Sequence, residues 1–133
     1  MTKDTIVEYY KRLQLRTDWQ ALLADDIVFT SRTSPARQLI GRDAYISGAS
    51  RFFAMIVDSQ VLDLIVDGEK ACGFTRYRLQ PPGGGAPFES DVAEFFTVSN
   101  GAITALTIYF DSAPYPKPPT QLQETVTAPV ARS

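Results

Sequence analysis

The residues able to do chemistry in this 133-residue chain are few, because it contains no histidine. That absence removes the commonest general base, the Ser-His and Cys-His nucleophile pairs and most zinc sites. What remains is a set of carboxylates and guanidinium groups in the second half: Arg76, Arg78, Asp91, Glu94 and Asp111. With the larger apolar side chains of each strand turned inward, the interior takes Leu62, Leu64, Val66, Phe74, Val92, Phe96, Leu106, Ile108 and Phe110, and Arg76, Arg78 and Glu94 share their parity. Pairing the strands across the loop at 81–87 brings Arg76 close to Glu94 as an interior ion pair. Glu94 could then serve as general acid or base if desolvation raises its pKa, against the downward pull of Arg76. Asp91 has outward parity and Asp111 ends a strand, so both read as solvated or structural. Cys72 is a lone thiol in an apolar pattern, and Gly83-Gly84-Gly85 lacks the Lys-Ser or Lys-Thr of a phosphate cradle.

These residues need elements to position them. Ile6, Tyr9, Tyr10 and Leu13 recur at helical spacing between Asp4 and Arg16, with Asp4 or Thr2 as cap. Thr17-Asp18 reads as a second cap, before a short helix carrying Trp19, Leu22 and Leu23. A short strand follows over 27–31, then a loop over 32–41, then a helix capped by Asp43 and running to about Met55 despite Gly48. From Ser59 the period becomes two. Strands over 61–66, 70–80, 88–99 and 102–110, with Asp67-Gly68 and Asn100-Gly101 as hairpin turns, form a four-strand meander.

The length suits one domain, and 44% hydrophobic with 21% charged residues is ordinary for a globular one. A net charge of -2 lacks the basic excess that a phosphate backbone demands, so nucleic acid is not expected as a partner. No long apolar run or secretory leader is evident, so neither a membrane nor export is expected, and the default address is cytoplasmic. Residues 1–114 form the expected domain. Residues 115–133, rich in proline, read as an extended tail.

The order of elements resembles the nuclear-transport-factor-2-like, or SnoaL-like, superfamily over about residues 5–114. The resemblance is carried by Asp18-Trp19, Ala24-Asp25-Asp26-Ile27-Val28-Phe29, Gly41-Arg42-Asp43-Ala44 and Asn100-Gly101-Ala102-Ile103 leading to Tyr109-Phe110-Asp111. It implies an α+β cone, a curved antiparallel sheet closed by N-terminal helices, and a homodimer through the outer face of the sheet. Relative to the ketosteroid isomerases of that superfamily, Tyr10 matches the helix tyrosine and Glu94 the carboxylic acid, whereas Ser31 stands where the aspartate base is expected. Relative to the limonene-epoxide hydrolases, Arg76 matches the arginine, but Arg78 and Ile108 stand where acids are expected, which argues against epoxide opening.

The expected site therefore has Tyr10, Glu94 and Arg76 as its acting residues. Trp19, Phe29, Ser31, Phe74, Arg78, Phe96 and Ile108 are expected in the pocket. The expected ligand is a small apolar or carbonyl-bearing molecule, handled without metal or organic cofactor, with isomerase or cyclase chemistry as the enzymatic reading. A noncatalytic dimerisation or protein-interaction module is the alternative, in which Tyr10 is a core tyrosine and Glu94 a satisfied ion-pair partner.

Overall fold

A computed structural model describes residues 1–33 and 35–116. Helix α1 spans Thr2–Leu15 and buries Ile6, Tyr9, Tyr10 and Leu13, the face that the helical spacing marks. Its end is a left-handed residue, Arg16, after which the Thr17 amide reaches back to the Arg12 carbonyl. A single 3-10 turn, Trp19–Leu22, leads into β1, Leu23–Ser31. Strand β2, Arg37–Ile40, lies within the stretch expected to be a loop, and pairs antiparallel with β1. The expected third helix is two, α2 at Arg42–Gly48 and α3 at Ser50–Met55, the break falling at the helix-weakening glycine. None of the expected side-chain caps forms; Thr2, Asp4 and Asp43 lie inside the first turns of their helices.

Strands β3 (Ile56–Asp67), β4 (Lys70–Leu79), β5 (Phe88–Ser99) and β6 (Ala102–Phe110) make the expected antiparallel meander. The six-stranded sheet runs β2-β1-β6-β5-β4-β3, with β1 parallel to β6. The result is the α+β architecture that the sequence suggests. Helix α1 packs against the inner face over β3, β4 and β5, and Ile6, Tyr9, Leu23, Ile27, Tyr77, Leu79, Phe96, Ile103 and Leu106 are almost wholly buried there. Among the described residues no helix is long and apolar enough to cross a membrane. Most of the expected tail, residues 117–133, lies outside the described residues. Its first part is docked: Tyr115 packs on Phe88 and Phe110 and donates to Ser90 Oγ at 2.8 Å.

One expectation about side-chain direction fails in β4. Ala71, Gly73, Thr75, Tyr77 and Leu79 face inward, and Lys70, Phe74, Arg76 and Arg78 face out. The cause is volume: α1 lies on this part of the sheet, and small residues at 71, 73 and 75 make room for its tyrosines. A Cβ at Gly73 would come within 2.1 Å of the Tyr10 hydroxyl. In β3 a bulge between Val61 and Asp63 changes the parity, so Leu62 is exposed while Leu64 and Val66 pack on the core.

Candidate functional site

Glu94 is the chemical centre of the inner face. It sits in the middle of β5 with only 5% of its surface exposed, opposite Gly73 on β4 and Ile108 on β6. Tyr10 donates to its Oε1 at 2.5 Å, Thr75 donates to the same oxygen at 2.8 Å, and Tyr77 donates to Oε2 at 2.8 Å. Thr75 Oγ1 also lies 3.1 Å from the Tyr10 hydroxyl, so the three groups form one network. Among the described residues no cation pairs with this carboxylate. Burial raises its pKa, and the three hydroxyl donors offset part of that rise without cancelling it. The phenols of Tyr10 and Tyr77 are themselves pushed up, first by burial and then by the nearby Glu94 charge, so both stay protonated and keep donating.

Arg76 is not part of this site, and the interior ion pair does not exist. The β4–β5 register sets Arg76 opposite Asp91 instead, on the outer face, where Nε and Nη2 grip the two carboxylate oxygens at 2.8 and 3.0 Å. That hydrogen-bonded pairing holds Asp91 below, and Arg76 above, their ordinary pKa values. Phe74 and Arg78 are likewise outside the pocket. Tyr77 and Thr75 are the functional candidates that the sequence reading missed. A signal was available: Lys70, Arg76 and Arg78 share one parity of β4, and three cations on one side of a strand mark a solvated face more reliably than one phenylalanine marks a buried one.

Beside Glu94 the cone contains a cavity of about 530 Å³. Its walls come from β1 (Phe29, Ser31), from α2 and α3 (Tyr45, Phe52, Phe53, Met55) and from the sheet (Tyr77, Val92, Leu106, Ile108, Phe110). Phe29 stacks on Tyr45 at 4.6 Å, and Phe52 meets Tyr77 edge to face at 5.1 Å, which fixes the rings that shape it. Thus Phe29, Ser31, Ile108 and Glu94 line the cavity. Trp19 and Phe96 lie behind it in the aromatic core around Tyr9, and Tyr10 reaches it only through its bond to Glu94. Among the described residues no group of three or more metal-binding side chains occurs.

Comparisons with known proteins agree with this architecture. The family model described as "SnoaL-like domain" matches residues 7–106. A crystal structure of a protein from Kribbella flavida is 27% identical and superposes with a TM-score of 0.70 over 84% of this chain and 88% of that one. An NTF2-like protein from Burkholderia pseudomallei is 20% identical, with a TM-score of 0.70 over 85% and 92%. A candidate SnoaL-like polyketide cyclase from Shewanella denitrificans is 15% identical, with a TM-score of 0.69 over 83% and 90%. No curated protein matches the sequence.

Proposed function

The chain belongs to the SnoaL-like domain family, and from that premise we propose that it binds a small apolar, carbonyl-bearing molecule in the cone and moves a proton on it through Glu94. The observation that carries this reading is an apolar cavity ending on a buried carboxyl group that three hydroxyls hold and that no cation among the described residues neutralises. A carboxyl group whose pKa rises toward the working pH can give and take a proton in one cycle, which an ordinary glutamate does poorly. As base, Glu94 would remove a proton from the carbon beside the carbonyl; as acid, it would return one. Tyr10 and Thr75 position the carboxyl group from behind. Tyr77 spans the network and the cavity wall. The chemistry is of the isomerase or cyclase kind and needs no metal or organic cofactor.

The test is proton exchange. β-Tetralone in deuterated buffer should lose its α-protons faster with the protein than without, followed by NMR, and Glu94→Gln should abolish the acceleration while leaving binding measurable. Equal exchange in the variant and the unmodified chain would refute the role of Glu94.

The noncatalytic alternative, association, has one observation in its favour and is compatible with the first reading. The outer face of β3–β6 exposes Ile65, Phe74, Phe95 and Tyr109, with Phe95 and Tyr109 edge to face at 5.9 Å. An apolar patch of this kind favours a homodimer through the sheet. Light scattering on the unmodified chain should give twice the monomer mass, and Phe95→Glu should give the monomer; a monomer in both cases would remove the dimer.

A further inference from the structure

The strand register places the polar groups of the cavity in a line. Arg37 on β2 lies opposite Ser31 on β1, Ser31 beside Ile108 on β6, and Ile108 opposite Glu94 on β5. All four line the cavity, so this row crosses its floor from a guanidinium and a hydroxyl, over an apolar residue, to the buried carboxyl group. Strands are about 4.8 Å apart, which sets Ser31 about 10 Å from Glu94 along the row.

The Ser31 end of the row presents a buried hydroxyl to the cavity. Ser31 is 92% buried, its exposure being 8%. Its neighbours Thr30 and Thr33 bond to Gln38 and to the Phe110 backbone, but Ser31 Oγ has no hydrogen-bond partner among the described residues. A buried hydroxyl without a partner is costly unless something that enters the cavity satisfies it. Arg37, exposed at the rim, gives one N–H to the Gly48 carbonyl at 2.5 Å, which orients the guanidinium and leaves further donors free. Arg51 on α3 adds a second rim cation, and neither arginine has an ion-pair partner among the described residues. Glu94 is the single acid among the described residues that line the cavity.

We infer that the ligand is a monoanion: an apolar body lying across Ile108, with a carboxylate held by Ser31 and Arg37 at one end and the reacting carbonyl at Glu94 and Tyr77 at the other. This rests on the reading of the cavity as a ligand site and adds its polarity and substrate class. The geometry explains why the cavity carries positive charge at the mouth and a neutralisable acid at depth.

Calorimetric titration with a naphthalene bearing an acetyl group at one end and a carboxylate at the other, compared with its methyl ester, tests the polarity on the unmodified chain. The acid should bind about tenfold more tightly than the ester, the scale of one charged hydrogen bond, and added salt should erode that preference. Arg37→Gln should abolish the preference, and Ser31→Ala should weaken the acid several-fold, each costing the ester less than the acid. Equal binding of acid and ester overturns the inference even if the variants do not fold, as does an equal loss for both ligands in Arg37→Gln. If both ligands bind equally and Glu94→Gln still abolishes proton exchange, the cavity keeps its proposed function and only the anion end is lost. If neither ligand binds, both readings fall.

Discussion

Asp91 and Glu94 lie three residues apart on one strand and occupy opposite electrostatic worlds. Asp91 faces water, grips Arg76 with both oxygens and is held below the usual carboxylate range. Glu94 faces the cone, has hydroxyls and no cation among the described residues, and is pushed up from its ordinary value by burial. The same chemical group is thus a solvated surface anion on one side of the sheet and a buried, hydroxyl-held acid on the other. Alternation along a strand decides between them, which is why a register error of a few residues converts one reading of the site into the other.

The contrast can be broken hardest at Gly73. Adding a methyl group there, as Gly73→Ala, forces the Tyr10 phenol away from Glu94, because the new carbon would stand 2.1 Å from the hydroxyl and 3.0 Å from the ring. The loss should be about 1–3 kcal/mol of stability in urea unfolding, together with a further upward shift of the Glu94 pKa. A smaller effect, about 1–2 kcal/mol, is expected for Tyr77→Phe, which strips Oε2 of its donor. Its signature is the same upward movement of the Glu94 pKa, since the hydroxyl bond acts to lower it.

A third experiment sharpens the comparison through pH. Glu94 binds its proton more tightly in the folded chain than in the unfolded one, so the native state carries the extra proton between the ordinary glutamate pKa and the raised value. Stability should therefore fall as pH rises through that window, and Glu94→Gln should show less of this fall. Asp91, whose folded pKa is lowered, works in the opposite sense: its small contribution is present at neutral pH and is lost on acidification. The smallest effect belongs to that outer pair. Arg76→Ala should leave the urea midpoint within experimental scatter and the Glu94 titration unmoved, because exposed pairs are screened by solvent.

Much of the architecture was legible because it rests on period. The helical spacing of Ile6, Tyr9, Tyr10 and Leu13 and the turns at Asp67-Gly68 and Asn100-Gly101 define α1 and the meander with little competition from tertiary packing. Strand β2 was hidden because Arg37–Ile40 is exposed and carries too weak an alternation to stand out from the Ser-Pro segment before it. Glu94 and Tyr10 were visible through the family resemblance. Their neighbours Thr75 and Tyr77 were not, because Gly73 and Ala71 do not look like an interior face until the helix that fills the space above them is in place. Hydrophobicity alone therefore chose the wrong side of β4. Steric complementarity between α1 and the sheet chose the right one.

The central claim, that Glu94 is a buried acid supported by hydroxyls with no cation beside it among the described residues, is tested most directly by its own titration. In carbon-13 NMR of glutamate-labelled protein, the carboxyl resonance that disappears in Glu94→Gln should titrate clearly above the ordinary glutamate value of about 4.3. A titration at or below that value would contradict the account, because the hydroxyl bonds would then outweigh desolvation and leave Glu94 a weak base for a carbon-bound proton.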